Sequence, residues 1–256
     1  MVGVRLENVT KRFDNVVAVD RVSLEIRRGE FFFLLGPSGC GKSTLLRLIG
    51  GLELPGAGRI LQIGEPPASS LNPLTYIFQD FALLPWRSVE GNVSLVLEDH
   101  GLGRAQKAAI VEDVLSRTKL SDFKKALPRQ LSGGMRQRVG IARALSVNPA
   151  VMLMDEPLSA LDSQTRELLM DDLVDLWTRE NFTAVYVTHN LAEAVRLGHR
   201  IVVLSRRPGR IREVVDIDLP LAARTVGKAE LEDTQRRLWQ MLRDEARAAD
   251  RELADV

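Results

Sequence analysis

"FFFLLGPSGCGKSTLLRLI", Phe31–Ile49, changes character twice along its length. It opens on an unbroken apolar run, Phe31–Leu35, the pattern of a strand buried on both faces. Gly36–Thr44 then fits G-x-x-x-x-G-K-[ST], and the leucines that follow fall at helical spacing. A strand that turns through glycines into a helix is the building unit of α/β architecture. The turn also predicts what it holds. Its glycines let the backbone of Gly36, Pro37, Ser38, Gly39, Cys40, Gly41, Lys42, Ser43 and Thr44 curl around phosphate oxygens. A helix starting near Lys42 adds the positive end of its dipole. Lys42 is expected to reach the β- and γ-phosphates, and the Ser43 hydroxyl to ligate Mg²⁺. The segment therefore predicts a site for a nucleoside triphosphate.

Outward from this loop, "AVMLMD" (Ala150–Asp155) and "TAVYVT" (Thr183–Thr188) repeat the continuous apolar pattern and extend a mostly parallel central sheet. "VGVRLENVTKRF" and "AVDRVSLEIRRG" alternate instead, which predicts an antiparallel β layer with one wet face. Strand signal vanishes between about Asp80 and Leu131, where "RAQKAAIVEDVLSRTKL" (Arg104–Leu120) has helical periodicity. "RRPGR" (Arg206–Arg210) reads as a turn joining the strands "RIVVLS" and "RIREVVDIDL". From Lys228 to Leu253 a charged helix sets Leu231, Leu238, Leu242 and Ala246 on one side, to pack on the domain or to meet a partner. The expected organisation is one domain over 1–256, with a nucleotide-binding core at 1–79 and 132–220. A helical subdomain would occupy 80–131 and a helical tail 221–256.

Composition narrows the class. Of 256 residues, 45% are hydrophobic and 27% charged, with a formal net charge of +1. That is the balance of a globular protein with no electrostatic pull toward nucleic acid. No apolar run approaches the roughly 18 residues a membrane span needs. No export signal opens the chain, and Cys40 is its one cysteine. An intrachain disulfide and a cysteine zinc site are thereby excluded, and a reducing, cytoplasmic location is expected.

Two further stretches carry chemistry. "VMLMDEP" (Val151–Pro157) delivers Asp155 to the C-terminal end of a strand, where open α/β sheets bind their ligands. Asp155 would support Mg²⁺ through water, and Glu156 would act as base or orienter for an attacking water. Standing alone, two acids at a strand end read as solvated residues; the phosphate loop upstream turns the reading toward catalysis. "QLSGGMRQRVGIARAL" (Gln130–Leu145) opens an amphipathic helix on Ser132, Gly133 and Gly134, a second helix start suited to an anion.

Together these motifs resemble the ATP-binding-cassette (ABC) ATPases, a P-loop NTPase family, over nearly the whole chain. The resemblance implies ATP and Mg²⁺ as ligands. Phe13 matches the aromatic that stacks on adenine, although an aromatic at that place also suits a core. Gln79 in "YIFQD" matches the glutamine that links the Mg²⁺ site to the helical subdomain. "SALD" (Ser159–Asp162) matches the loop that crosses the dimer interface. His189 in "VTHN" matches the γ-phosphate sensor, where a lone histidine would otherwise read as structural. The implied catalytic set is Glu156, His189, Lys42 and Gln79. In this family the element Ser132–Met135 serves the nucleotide of the other subunit, so a head-to-tail homodimer is implied. Met135 departs from the glutamine commonest there, but the serine and glycines carry the phosphate contact. Cys40 suggests sensitivity to thiol reagents. His100 and His199 match no motif and read as surface or packing residues.

A cassette ATPase without a membrane span needs separate permeases, and the family docks two of them on the helical subdomain. "FQDFALLPWRSVEGNVSL" (Phe78–Leu95) is the candidate surface, centred on Phe81–Ser88; the competing reading has Trp86 anchoring the subdomain. "LLPWRSVEGNV" and "LSRRPGRI" resemble the importer ATPases for nitrate, sulfonate, taurine and related oxyanions. That likeness implies a solute-binding protein as indirect partner and a peripheral position on the cytoplasmic face of the bacterial inner membrane. The extra β-domain typical of sugar-importer ATPases is not expected here. The alternative is a soluble cassette ATPase of DNA repair, chromosome organisation or translation. The absence of a long heptad run between Lys42 and Ser132, the single cysteine and the near-neutral charge speak against it.

Overall fold

The computed structural model of the chain describes residues 2–224 and 228–254. In chain order these form β1 (Gly3–Phe13), β2 (Val16–Ile26), β3 (Phe31–Leu35), α1 (Lys42–Ile49), β4 (Ala57–Ile63), β5 (Leu74–Ile77), α2 (Val89–Ser94) and α3 (Arg104–Arg117). There follow α4 (Gly133–Leu145), β6 (Val151–Asp155), α5 (Ser163–Glu180), β7 (Thr183–Val187), α6 (Leu191–Leu197), β8 (Arg200–Leu204), β9 (Ile211–Asp216) and α7 (Ala229–Ala254). They gather into two compact units, Val2–Gly64 with Thr183–Val256, and Glu65–Phe182.

In the first unit the alternating stretches pair as expected. β1 lies between β2 and β4 in a three-stranded sheet, antiparallel to both. Val4, Leu6, Val9, Val22 and Ile26 are buried, whereas Arg5 and Glu25 face solvent and pair with each other. Leu6 and Val9 are an odd number of residues apart and would face opposite ways in a regular strand. A register shift between them, with Asn8 at φ 50, returns Val9 to the buried face. The parallel layer of this unit has β3 between β7 and β8, and β9 closes it in antiparallel fashion. All five side chains of β3 are fully buried, and the Phe33 ring stacks on Tyr186 with centroids 4.6 Å apart. Burial on both faces is why this strand reads as a run and not as an alternation. The turn "RRPGR" joins β8 to β9 as predicted. α7 fulfils the expected tail helix: Leu231 and Leu238 are buried, and the helix packs on α6. The side chain of Ala246 lies outside the described residues.

In the second unit β5 and β6 run parallel, with Leu74 opposite Val151 and Ile77 opposite Met154. α4 lies against β5 and also touches α2, α3 and α5. The expected helix after Arg104 is α3, and no strand occurs between residues 80 and 131 among the described residues. Among the described residues no helix is long and apolar enough to cross a membrane.

Candidate nucleotide site and docking loop

The phosphate loop leaves β3 at Gly36 and enters α1 through Gly41, which stands at φ 104 as the residue before the helix. No side chain caps α1, and its first turn carries no acid. A helix start without its own cap is an anion site by default, because its first N–H groups lack intrahelical acceptors. Lys42 is buried and folds back, its Nζ donating to the carbonyls of Gly36 at 2.8 Å and Pro37 at 2.9 Å. The ammonium is thus held inside the curl of the loop. Cys40 is buried too, and burial pushes its thiol above the ordinary value against the opposing pull of Lys42. The structure therefore covers the thiol and disfavours its reactive thiolate.

In the same unit, His189 follows β7 and is exposed. The segment that carries it is fixed by Glu193, a buried residue that sequence reasoning missed. Glu193 Oε2 accepts from Tyr186 Oη at 3.0 Å and from Thr188 Oγ1 at 2.8 Å, and Thr188 Oγ1 in turn accepts the Asn190 N–H at 3.0 Å. Asn190 caps α6 through the N–H groups of Ala192 and Glu193. Phe13, at the end of β1, is 43% exposed, so it belongs to no core; Lys11 Nζ lies 5.0 Å from its ring centre.

The second unit holds the remaining predicted residues. Asp155 ends β6, and its Oδ2 accepts a hydrogen bond from Tyr76 Oη at 3.0 Å, a partner that sequence reasoning did not find. Glu156 stands at φ 45, a left-handed backbone that costs a non-glycine residue about 1 kcal/mol or more. The following turn holds it there: the Glu156 carbonyl accepts the Ser159 N–H at 3.1 Å and Ser159 Oγ at 2.8 Å. Gln79 lies just past β5 and is exposed. Ser132 caps α4, its Oγ accepting the Met135 N–H at 3.2 Å. Gly133 and Gly134 open that helix against the "SALD" segment and α5. A Cβ on Gly133 would stand 3.1 Å from Leu161, and one on Gly134 2.6 Å from Thr165 Cγ2. Asp162 caps α5 through the Thr165 N–H, and the hydrogen bonds from Thr165 hold its carboxyl below the ordinary value.

The Phe78–Leu95 stretch forms a loop before α2 with Trp86 73% exposed, which removes the reading of Trp86 as an anchor. Its anchors are two residues that no motif announced. Asn92 is fully buried on α2; its Oδ1 accepts the Leu84 N–H at 2.8 Å, and its Nδ2 faces the carbonyls of Leu84, Arg87 and Ser88 at 3.0–3.1 Å. Arg143, near the end of α4, donates to the carbonyls of Ala82 at 2.6 Å and Phe81 at 3.2 Å. Burial lowers the pKa of Arg143, the sign of a guanidinium drawn into the fold. α4 thus carries Ser132 at one end and grips the Phe78–Leu95 loop at the other.

Residues 19–159 match the ABC transporter family. An uncharacterized ABC transporter ATP-binding protein of Methanocaldococcus jannaschii is 42% identical over 248 residues, 95% of this chain and 92% of its own length. The spermidine/putrescine import ATP-binding protein PotA of Pseudomonas aeruginosa is 45% identical over 212 residues, 82% of this chain and 58% of that protein. Among solved structures, the dimeric bacterial ABC transporter cassette MJ0796 superposes with a TM-score of 0.72 at 33% identity, covering 85% of this chain and 100% of that one. The same cassette has been solved in a post-hydrolysis state with ADP and Pi. This chain belongs to the ABC transporter family. It has the cassette form of the P-loop NTPase fold, and it is an ATP-binding, ATP-hydrolysing transport subunit.

Proposed function

We propose that this chain powers an ABC importer as a head-to-tail homodimer on the cytoplasmic face of a bacterial inner membrane. Two permease subunits would dock near Phe81–Ser88, and a solute-binding protein would deliver the cargo. The observation that carries the reading is the phosphate loop, with its uncapped helix start and Lys42 turned into the curl. Gly36–Thr44 would wrap the phosphates of ATP while Phe13 stacks on the base. Mg²⁺ would supply charge neutralisation on the phosphate oxygens. Ser43, Asp155 and Gln79 are its candidate holders, an all-oxygen donor set of the kind this cation takes while keeping waters and phosphates as further ligands. Among the described residues no group of three or more His, Cys, Asp or Glu side chains is placed to hold a metal ion.

Glu156 would polarise the attacking water, and His189 would hold the γ-phosphate in register with it. Ser132, Gly133, Gly134 and Met135 would close on the partner's nucleotide, with Asp162 in the loop crossing the interface. Phosphoryl transfer needs positioning and charge stabilisation more than covalent chemistry, so a shared site at an interface serves it well. Residues 80–131 would be the subdomain that takes up the movement. A shift of α4 at Ser132 would pass through Arg143 to the Trp86 loop. The sequence cues favour an oxyanion of the nitrate, sulfonate or taurine kind as cargo. PotA, which resembles this chain, is named for polyamines, so that assignment rests on "LLPWRSVEGNV" and "LSRRPGRI" alone.

A Glu156→Gln variant tests the core of the reading. It should bind Mg·ATP, lose hydrolysis by about 10²–10⁴-fold, the usual worth of a general base, and accumulate as a dimer by light scattering. A variant that stays monomeric at saturating Mg·ATP, or hydrolyses at the parental rate, would overturn it. Sedimentation with membranes only on co-expression with permease subunits separates the transporter from a soluble cassette ATPase.

A further inference from the structure

The tail helix reaches the nucleotide loop through one carboxylate. Glu245, on α7, is 8% exposed. Its Oε2 accepts the backbone N–H of Arg206 at 2.7 Å, and its Oε1 accepts from Arg212 Nη1 at 2.6 Å. The guanidinium of Arg206 adds an ion pair at 3.9 Å. Arg206 opens the turn between β8 and β9, which Ser205 Oγ braces by accepting the Arg210 N–H at 3.1 Å. The far flank of that turn is stitched to β2. Gly209 donates to the Ala18 carbonyl at 2.9 Å and accepts from the Asp20 N–H at 3.0 Å, and Arg210 reaches Asp20 Oδ2 at 2.5 Å.

Between these two attachments the turn is seated on the backbone of the phosphate loop. A Cβ at Gly209 would stand 2.2 Å from the carbonyl oxygen of Cys40, and the Arg207 guanidinium passes 3.7 Å from where a Cβ of Gly39 would be. The loop binds phosphate by aiming its N–H groups, and such a site is only as good as the shell that fixes it. A buried carboxylate with two charge-assisted hydrogen bonds, one to Arg206 in the turn and one to Arg212 just beyond it, ties α7 to this turn. We infer that Glu245 is a positioning residue for the phosphate loop: through the turn Ser205–Arg210, the tail helix holds the loop in its binding shape. This rests on the nucleotide reading of that loop and extends it to a helix that no nucleotide motif includes.

The single cysteine makes the inference testable without nucleotide, because Cys40 is buried and its backbone carbonyl lies against Gly209 of the turn. In the full-length protein, Glu245→Ala should raise the rate of Cys40 labelling by an aromatic disulfide about fivefold, at each of several pH values. It should raise the KM for ATP by about fivefold as well, the effect of roughly 1 kcal/mol at 1.4 kcal/mol per decade, with kcat within twofold. Glu245→Gln keeps the volume and one acceptor, and should move both readouts the same way by less. Arg237→Gln removes another ion pair of α7, to Glu213, without touching the turn, and should move neither. Unchanged labelling and KM in both Glu245 variants would overturn the inference, leaving Glu245 as a stabiliser of α7 alone. An equal effect of Arg237→Gln would overturn the route through the turn. Raised labelling with no change in ATP affinity would refute the link to nucleotide binding. The nucleotide reading itself fails separately, if Lys42→Ala binds ATP as tightly as the parent.

Discussion

Gly134 offers the sharpest test of how the signature helix is built. An added Cβ would stand 2.6 Å from Thr165 Cγ2, where ordinary contact begins at 3.4 Å. The methyl has little room to turn away. Thr165 Oγ1 donates to Asp162 Oδ2 at 2.7 Å, and its N–H donates to Asp162 Oδ1 at 2.9 Å, so rotating the side chain gives up part of the α5 cap. Overpacking of this kind costs about 1–3 kcal/mol, and losing a helix cap about 1 kcal/mol. Alanine gives back about 0.5–1 kcal/mol of backbone entropy relative to glycine. Gly134→Ala should therefore destabilise the fold by about 1–2 kcal/mol net. For a chain of this size that is a fall in Tm of about 2–8 °C.

The overlap comes from a single methyl, so Thr165→Ser should relieve it while keeping the hydroxyl on Asp162. The double variant should melt at or above the Thr165→Ser single variant in thermal and urea denaturation, a non-additivity expected only of residues in contact. A Gly134→Ala protein that melts like the parent would refute this reasoning, as would a double variant with the full sum of losses. ATPase assays on the same samples separate packing from chemistry. If the double variant regains its Tm but not its turnover, the missing Cβ also serves the partner's nucleotide.

Two further outcomes follow from the structure. Asn92→Ala should destabilise the chain by about 2–3 kcal/mol in urea, since three or so buried hydrogen bonds at 0.5–1.5 kcal/mol each are lost, while ATP affinity stays unchanged; stability within 0.5 kcal/mol of the parent would show that the Trp86 loop holds itself. His199 accepts the Phe31 N–H on Nδ1 at 3.0 Å, and burial, aided by Arg224, lowers its pKa from 6.5 to about 4. Between those values the unfolded chain binds a proton that the folded chain refuses. Stability should therefore be flat above pH 6.5 and fall as pH drops toward 4. His199→Asn keeps an acceptor and should remove about 1 kcal/mol of the loss between pH 7 and 5, after discounting for partial exposure; an unchanged pH profile would exclude His199 as its source.

The features legible in the sequence are those whose cause is local. The phosphate loop, the acids after β6 and the serine and glycines before α4 each lie at the junction of two elements, where residue type and spacing state the chemistry. The supports are different. Tyr76 braces Asp155, Arg143 holds Phe81 and Ala82, and Glu245 holds Arg206 across long stretches of chain. A polar residue within an amphipathic helix gives no sign of which distant backbone it will face. β4 and β5 also escaped: β4 has no fully buried residue, and β5 is only four residues long. Glycines mislead in a particular way. Those of the signature read as room for a ligand, yet the structure uses the space on Gly134 to admit α5. The left-handed backbone of Glu156 is invisible in "DEP", because nothing in the residue itself asks for it.

The two anion-suited helix starts are not equivalent, and the difference bears on the order of events. α1 begins with no side-chain cap, no acid and a lysine already turned inward, so an outside anion meets preformed donors and a full positive charge. α4 begins with Ser132, whose oxygen already accepts the Met135 N–H. Its first turn thus has its own side-chain acceptor, and no lysine or arginine stands among its first three residues. On the proposed function both starts would aim N–H groups at phosphate oxygens, and the phosphate loop would add the ammonium of Lys42, so the larger share of the affinity would belong to that loop. The signature end would add the smaller share. On the proposed function binding would come first and closure second, and closure would be the step that needs the γ-phosphate between the two ends. That asymmetry would let an ATP be held before closure and the interface open once it is cleaved, as the proposed transport cycle requires.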